Sequence, residues 1–282
     1  MFILAFDHRS SLMRSFFGID GTPGPRNVAD ALRVKRLIWE GLVRAIDAGT
    51  VGRDEAGILV DATYGADIIG SAKAAGIRVA VPVEASGRRE LDFEVPDWRE
   101  RIDRLDPGWA KVLIRYNPDG DAEMNARQLA RLKQLREHCT ATSRSLMIEL
   151  LVPPEPANTS PAYDTQIRPA LMIRSIESFR GAGVDADVWK IEGLERREDC
   201  EQIARSAAAP CVVLGRGADA AAVDRWLRAA GGVPGFAGFA IGRSIWWDAL
   251  KANDGAEDDA VARIAAAYGR YAGVWREAAA GS

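Results

Sequence analysis

The sequence predicts an α/β protein folded as a single (β/α)8, or TIM, barrel. Short apolar runs bounded by turn residues alternate with longer amphipathic segments, which is typical of parallel strands joined by helical crossovers. Eight such units in 282 residues match the barrel in number and length. The competing architecture is an open Rossmann-like sheet, but the GxGxxG turn expected after its first strand is missing.

The predicted elements follow this alternation from the first residues onward. Strands are predicted at residues 2–6, 57–61, 77–82, 111–116, 146–151, 187–191, 211–214 and 239–241. Helices are predicted at residues 29–47, 66–75, 98–105, 121–138, 167–181, 196–208, 220–230 and 258–275, of which 98–105 is only a short turn. The Pro- and Gly-containing loops 21–25 and 153–161 follow strands, so we expect them on the active face of one domain, residues 1–282, and not at a domain boundary.

The composition argues against several classes of partner. A net charge of −3 and a pI near 5.6 give no electrostatic reason to expect nucleic acid or an anionic membrane. No apolar run is long enough to span a membrane, and the N-terminus lacks the features of a signal peptide. Three cysteines without a CxxC motif favour a reducing, cytoplasmic location. The tryptophans, including Trp246 and Trp247, fit either a homo-oligomer interface or core packing.

Lys190 lies in the middle of a predicted buried strand, where an unpaired ammonium costs several kcal/mol. One resolution is an amine that burial keeps partly neutral near pH 7 and that can attack a carbonyl. The other is a salt bridge to a nearby carboxylate, or a side chain that extends to the strand end. Residue usage favours the nucleophile, because only six of the 37 basic residues are lysines, two of these lie in strands, and arginine cannot form a Schiff base.

Several other charged side chains are predicted to face the barrel interior or to lie at the carboxyl ends of strands, where barrel active sites form. The acidic ones are Asp7, Asp61, Glu84 and Glu149. Lys111 is the second lysine within a strand, and Arg115 shares its face. We interpret Lys111 as a second cation that acts on Lys190 or on a substrate oxyanion. The alternative is a buried pair with Glu149 or Asp7.

The histidine content bears on metal chemistry. Only His8 and His138 are present, which argues against a zinc-dependent aldolase, because such an enzyme needs several histidine ligands. We therefore expect no cofactor, and we interpret His8 as a packing residue. Magnesium held by carboxylates stays open as an alternative, with Asp7, Asp61, Glu84 and Glu149 as its ligands.

The last two predicted strands both end in small residues around one arginine. The two segments are Gly215-Arg216-Gly217 and Gly242-Arg243-Ser244. Small residues let backbone N–H groups approach an anion, and arginine adds forked hydrogen bonds. Because the loops after strands 7 and 8 are the recurrent phosphate site of barrels, the pair predicts phosphate binding. Two structural turns are the alternative.

Four segments together resemble one family, the 2-deoxy-5-keto-gluconate 6-phosphate aldolase-like proteins of myo-inositol catabolism. They are residues 4–11, 111–121, the strand around Lys190, and 239–247. The likeness spans nearly the whole chain and extends, more distantly, to class I tagatose 1,6-bisphosphate and sulfofructose-phosphate aldolases. Members of the family are often fused to a sugar kinase, so a barrel alone is expected to act by itself or as a separate subunit.

The resemblance implies a cytoplasmic Schiff-base aldolase, with a small sugar phosphate as its partner. Lys190 falls on the Schiff-base lysine, Asp7, Lys111 and Glu149 on acid/base and electrostatic residues, and Arg243 on a phosphate-binding arginine. Candidate substrate-binding residues within the motifs are Arg9, Arg115, Arg216, Gly217, Gly242, Arg243 and Ser244. The substrate that the resemblance implies is a phosphorylated keto-sugar acid, 2-deoxy-5-keto-D-gluconate 6-phosphate, cleaved to dihydroxyacetone phosphate and malonate semialdehyde. One departure is that Gly215 and Arg216 replace a phosphate-contacting serine, which argues against a bisphosphate substrate. The alternatives are sulfofructose phosphate or tagatose 1,6-bisphosphate as the substrate, or a non-catalytic barrel that binds a sugar phosphate.

Overall fold

The structure, a computed structural model, describes residues 1–156, 160, 162–252 and 255–281. Eight parallel strands close in sequence order, so that the first strand pairs with both the second and the eighth. The strands are β1 (Phe2–Ala5), β2 (Ala56–Leu59), β3 (Arg78–Pro82), β4 (Trp109–Arg115), β5 (Ser145–Leu151), β6 (Val188–Glu192), β7 (Cys211–Leu214) and β8 (Phe236–Ile241). The predicted (β/α)8 barrel is confirmed, and the open sheet is wrong.

The helices surround this barrel. They are α1 (Pro25–Asp47), α2 (Ala62–Ala74), α3 (Trp98–Leu105), α4 (Ala122–Ala141), α5 (Arg168–Gly181), α6 (Arg197–Ala207), α7 (Ala220–Ala230), α8 (Arg243–Lys251) and α9 (Glu257–Ala280). All eight predicted helices are present, but α8 was not predicted, because it begins inside the segment interpreted as a phosphate loop. Two short π-helical segments, Leu12–Phe16 and Tyr163–Ile167, were also missed. Of the predicted loop 153–161, residues 157–159 and 161 lie outside the described part of the chain.

The barrel interior separates an apolar layer from a charged one. The apolar layer inside the barrel contains Ile3, Ala5, Leu59, Ala80, Trp109, Met147, Val188, Val212 and Ala240. Side chains alternate between the two faces of a strand, so the residues two positions after Met147 and Val188 also face inward. These residues are Glu149 and Lys190, toward the carboxyl ends of β5 and β6. The charged layer therefore lies directly above a closed apolar floor.

The tryptophan pair is divided between the core and its margin. Trp246 is 1% exposed and its Nε1 donates a hydrogen bond to the carbonyl oxygen of Ala5, 3.0 Å away. Trp247 packs edge-to-face against Phe16, with the ring centres 5.1 Å apart. Core packing accounts for Trp246, and the homo-oligomer stays a prediction. The three cysteines are buried and unpaired, and within the described residues no helix is long and apolar enough to cross a membrane.

The turn after β6 requires glycine for a packing reason. A Cβ atom on Gly193 would lie 2.1 Å from Cδ2 of Trp226, so a larger residue would displace the indole or the end of β6. We expect Gly193→Ala to lower the free energy of unfolding by about 1–3 kcal/mol, the usual cost of overpacking a core. Urea denaturation measures this change.

A matched control is Gly70→Ala on the exposed side of α2, where no atom lies within 4 Å of the added Cβ. Alanine is favoured over glycine inside a helix by about 0.5–1 kcal/mol, so this variant should gain stability. Equal unfolding midpoints for the two variants would contradict the packing described at Gly193.

Candidate active site

The carboxyl ends of the strands open into a cavity of about 490 Å³. Its charged lining comes from the ends of seven strands and the loops that follow them. These residues are Asp7, Arg9, Glu84, Arg88, Arg89, Glu90, Lys111, Arg115, Glu149, Asp164, Lys190, Glu192, Arg216 and Arg243. The predicted catalytic and substrate-binding residues line this cavity except for Ser244, which instead donates its hydroxyl hydrogen to the carbonyl oxygen of Ala218, 2.7 Å away.

Lys111 is the centre of a buried ionic cluster. Its Nζ lies 3.0 Å from Oδ2 of Asp7, 2.8 Å from Oε1 of Glu84 and 2.7 Å from Oε2 of Glu149. Only 1% of the Lys111 side chain is exposed. These contacts match the alternative interpretation of Lys111, a buried pair with Glu149 or Asp7. Glu84 is a further partner that was not predicted. The cation that these three carboxylates share is an ammonium group.

Glu149 joins this cluster to Lys190. Its Oε1 lies 3.0 Å from Nζ of Lys190, while its other oxygen contacts Lys111. Glu149 and Lys190 are register partners on β5 and β6, so strand pairing itself sets them side by side. Lys190 is 4% exposed and lines the cavity. The structure therefore brings Asp7, Lys111, Glu149 and Lys190 together at one end of the barrel.

Burial and the neighbouring charges shift the pKa values of this cluster in opposite directions. Burial by itself would raise the pKa of Glu149, but the Lys111 and Lys190 ammonium groups outweigh it and hold the pKa below its usual range. The pKa of Asp7 is lowered in the same way. Burial would lower the pKa of Lys111, yet Asp7, Glu149 and Glu84 raise it well above its usual range. Lys111 is consequently a fixed positive charge, and the carboxyl groups of Asp7 and Glu149 are ionised at neutral pH.

Asp61 lies outside the cavity lining, whereas His8 lines the cavity next to Asp7. Asp61 caps α2 by accepting a hydrogen bond from the backbone N–H of Tyr64, and it forms a fully buried ion pair with Lys35. The four carboxylates suggested for magnesium are therefore not gathered at one point. Among the described residues, no group of three or more His, Cys, Asp and Glu side chains is arranged to hold a metal ion. Burial lowers the pKa of His8 to about 4, and its ring packs edge-to-face against Trp246.

The β8 side of the cavity presents Arg243 at the start of α8. A Cβ atom on Gly242 would lie 2.2 Å from the carbonyl oxygen of Ala5, and one on Gly217 would lie 2.7 Å from Cζ of Arg243. Gly217 therefore allows close packing against the guanidinium, and Gly242 allows the start of α8 to pack against the end of β1. Nη2 of Arg243 donates a hydrogen bond to the carbonyl oxygen of Arg216 at 2.7 Å, and the guanidinium forms no ion pair with any described residue. Arg243 and the N-terminus of α8 can together bind an anion.

Arg216 has a different environment from Arg243. Its Nε lies 3.2 Å from Oε1 of Glu192, and its Nη1 lies 3.3 Å from Oδ1 of Asp164. Glu192 is 3% exposed and also accepts a hydrogen bond from the backbone N–H of Val152. Burial raises the pKa of Glu192, although Arg168 opposes this effect. The charge of Arg216 is thus shared with carboxylates of the protein, and its predicted contact with phosphate requires competition with them.

Arg9 and Arg115 also line the cavity, with different partners. Arg9 is buried, and its guanidinium lies 2.5 Å from a carboxylate oxygen of Glu94 and 3.7 Å from one of Glu84. Arg115 donates a hydrogen bond to the carbonyl oxygen of Arg88, 2.9 Å away, and pairs with no described carboxylate. Arg9 is therefore neutralised within the protein, whereas Arg115 keeps its charge for a ligand.

Two carboxylates of this site have contacts that sequence reasoning did not predict. Glu84 was predicted only as an active-face acid and a candidate magnesium ligand, although it contacts Lys111 directly. Glu192 was not among the predicted site residues. Alternation on β6 could have identified Glu192 as an inward-facing carboxylate. Its partners, the backbone N–H of Val152 and the guanidinium of Arg216, lie in loops distant in sequence, so no local pattern predicts them.

Comparison with known proteins gives a family and distant relatives. A model of the DUF2090 family, described as an uncharacterized protein conserved in bacteria, matches residues 1–279. Tagatose 1,6-diphosphate aldolases of Listeria monocytogenes and Listeria innocua are each 27% identical over 196 residues, which is 67% of this chain and 54% of theirs. The chain thus spans about half the length of the curated relatives it matches.

Two solved structures share the fold. Fructose-bisphosphate aldolase of Plasmodium falciparum superimposes with a TM-score of 0.63 at 13% identity, over 95% of this chain and 90% of that one. The protein Cgl0159 of Corynebacterium glutamicum gives a TM-score of 0.58 at 21% identity, over 95% and 85%. At these identities, the two structures show the fold alone.

Removing the shared ammonium tests the cluster. We expect Lys111→Met to lower the free energy of unfolding by about 3–5 kcal/mol near neutral pH, because it leaves buried carboxylates without their main cation. In the wild type, the pKa values of Asp7 and Glu149 are lower in the folded than in the unfolded chain. Their ionised forms therefore stabilise the fold at a pH above about 4, and this stabilisation is lost as the pH falls below that value. In the variant, burial becomes the larger influence, so protonation relieves the defect and the difference shrinks toward pH of about 5.

Urea denaturation at the two pH values measures both effects. Lys133→Met on the exposed side of α4 is the matched control and should change stability by less than about 0.5 kcal/mol. A cost for Lys111→Met that does not depend on pH would contradict the ionic account of the cluster.

Proposed function

We propose that this chain, which belongs to the DUF2090 family, is a class I aldolase that cleaves a phosphorylated keto-sugar acid through a Schiff base on Lys190. The observation that carries the proposal is the contact between Lys190 Nζ and Glu149, 3.0 Å apart, at the edge of a cavity large enough for a sugar phosphate. The distant relationship to tagatose 1,6-diphosphate aldolases supports the same class of reaction. The absence of CxxC motifs fits a cytoplasmic enzyme.

The reaction begins with transfer of the Lys190 ammonium proton toward Glu149, which frees the nitrogen lone pair to attack the ketone carbon. Loss of water from the carbinolamine then gives an iminium, with Glu149 as the group within reach that moves protons. The iminium is an electron sink. When a carboxylate removes the proton from the β-hydroxyl group, the adjacent carbon–carbon bond breaks, the aldehyde leaves and the electron pair forms an enamine. Protonation at carbon and hydrolysis return the free amine and the ketone product.

Lys111 and Asp7 support these steps without bonding covalently to the substrate. The raised pKa of Lys111 keeps it cationic, so it cannot act as a second amine nucleophile, but it can hold an oxyanion and keep Glu149 oriented. The lowered pKa of Asp7 leaves an ionised carboxylate near both lysines. Asp7 is therefore suited to orient the hydroxyl groups of the substrate and to balance charge as the iminium forms.

The phosphate of the substrate belongs at the start of α8. Arg243 has no carboxylate partner among the described residues, and Gly217 packs closely against its guanidinium. Arg216 can join once phosphate displaces Glu192 or Asp164 from its guanidinium. Anchoring one end of the substrate in this way holds its ketone near Lys190, which lowers the entropic cost of the attack.

The substrate we propose is 2-deoxy-5-keto-D-gluconate 6-phosphate, which would give dihydroxyacetone phosphate and malonate semialdehyde. The resemblance of residues 4–11, 111–121 and 239–247 to the aldolase-like proteins of myo-inositol catabolism supports this choice. Gly215 and Arg216 at the position of a phosphate-contacting serine distinguish the chain from tagatose-bisphosphate aldolases. Sulfofructose phosphate and tagatose 1,6-bisphosphate are the alternatives, and assays of purified protein with all three substrates separate them.

Covalent trapping tests the Schiff base. Borohydride with dihydroxyacetone phosphate should reduce an imine and attach the three-carbon phosphate to Lys190, which peptide mass spectrometry locates. Lys190→Arg keeps a cation beside Glu149 but cannot form an imine, so it should lose both the adduct and the cleavage activity. Lys133→Arg on the exposed side of α4 is the matched control and should retain both. A wild-type protein that binds a sugar phosphate but traps no adduct would be a non-catalytic barrel.

Glu149 is tested by removing its charge alone. Glu149→Gln should reduce kcat by about 10²–10⁴-fold, the usual contribution of a positioned acid–base group. Substrate binding should change much less, because Arg243 is untouched. Glu123→Gln, exposed in the first turn of α4, is the control and should leave kcat unchanged. Steady-state kinetics supply the numbers, and a Glu149→Gln enzyme within a factor of a few of the wild type would assign proton transfer to another group.

A further inference from the structure

Three arginines on the β3–β4 side of the cavity have no carboxylate partner among the described residues. They are Arg88 and Arg89, in the loop after β3, and Arg115, at the end of β4. The carboxylates of the same lining are all engaged by other cations. Asp7 and Glu149 contact Lys111, Glu192 contacts Arg216, and Glu90 lies between Arg127 and Arg131. The positive charge on this side is therefore not neutralised by the protein.

The loop that carries Arg88 and Arg89 is fixed at several points. Arg115 donates a hydrogen bond to the carbonyl oxygen of Arg88 at 2.9 Å, and Gln128 accepts one from the backbone N–H of Leu91 at 2.9 Å. The hydroxyl groups of Ser10 and Ser86 are 2.7 Å apart and tie the loop to the end of β1. A loop held in this way places the backbone of both arginines in advance, so binding costs mainly the rotamer freedom of their exposed side chains.

This second basic group lies across the barrel mouth from Arg243. The strands follow one another in sequence order around the closed barrel, so β4 is diametrically opposite β8. Arg115 is on β4 and Arg243 follows β8, while Lys190 on β6 lies midway between them around the ring. A ligand that reaches from one arginine group to the other therefore crosses the cavity that Lys190 lines.

We propose that Arg88, Arg89 and Arg115 form a second anion subsite, so that the substrate carries an anionic group at each end. This inference rests on the proposed function, because the first anion is the phosphate at Arg243 and the reacting carbon lies between the two. Ser10 and Ser86 line the same side and add hydroxyl groups. Guanidinium groups bind carboxylate and phosphate alike, so the shared chemistry is a second oxyanion at the end of the substrate far from α8.

A pair of matched ligands tests the subsite without any catalytic step. 6-Phosphogluconate and glucitol 6-phosphate share a six-carbon chain with a terminal phosphate and differ in a carboxylate at the other end. Isothermal titration calorimetry with the wild-type protein should give about 10- to 100-fold tighter binding of 6-phosphogluconate, the range expected for one charge-assisted contact. Glucitol 1,6-bisphosphate, with phosphate at both ends, shows which second anion is preferred.

Variants at each end separate the two subsites. Arg88→Gln/Arg89→Gln should bring the affinities for 6-phosphogluconate and glucitol 6-phosphate to within about 3-fold of each other. Arg243→Gln should weaken the binding of both ligands. Arg53→Gln/Arg205→Gln is the matched control, because both arginines lie at the opposite, amino-terminal end of the barrel strands, and it should keep the wild-type preference.

The outcomes distinguish this inference from the proposed function. Equal affinities for the two ligands in the wild type, or an unchanged preference in Arg88→Gln/Arg89→Gln, would overturn the second subsite even if dihydroxyacetone phosphate is trapped on Lys190. A strong preference for 6-phosphogluconate that disappears in the variant supports the subsite even if no adduct forms, in which case only the Schiff-base proposal fails.

Discussion

The site depends on one carboxylate held between two ammonium groups inside the barrel. Glu149 contacts Lys111 through one oxygen and Lys190 through the other, at 2.7 and 3.0 Å. Neither lysine would be stable as an isolated cation at this depth, and Glu149 would not be stable as an isolated anion. The contact makes all three residues compatible with burial. It also leaves a proton acceptor within one hydrogen-bond length of the amine whose reactivity is proposed.

The barrel geometry supplies this contact at little cost to the fold. Register pairs Glu149 with Lys190 on adjacent strands, and the layer of Met147 and Val188 below them excludes water from the interior. The inward-facing charged residues Lys111, Glu149 and Lys190 lie on the carboxyl side of that layer, where they can face a ligand without interrupting the core.

The sequence predicted the site correctly where strand periodicity determines the direction of a side chain. Alternation along β4, β5 and β6 predicted that Lys111, Glu149 and Lys190 face inward, because side-chain direction in a strand depends only on position. It did not predict that Lys111 is shared by three carboxylates, or that Asp61 is taken by Lys35 on α1, because those contacts join segments distant in sequence. Helix α8 was not predicted, because the residues of its first turn were interpreted as a phosphate-binding loop.

The basic side chains around the cavity differ in whether a carboxylate of the protein neutralises them. Four of the eight lysine and arginine side chains around the cavity contact a carboxylate of the protein, namely Lys111, Lys190, Arg9 and Arg216. The exceptions lie on opposite sides of the mouth, at Arg243 and at the Arg88–Arg89–Arg115 group. The charges inside the barrel are therefore paired with one another, whereas these arginines at its rim are unpaired. This arrangement suits a ligand with a negative charge at each end and a neutral carbonyl in the middle. The amine of Lys190 lines the cavity between these two sides, so binding both ends of the ligand would restrict which carbon it can attack.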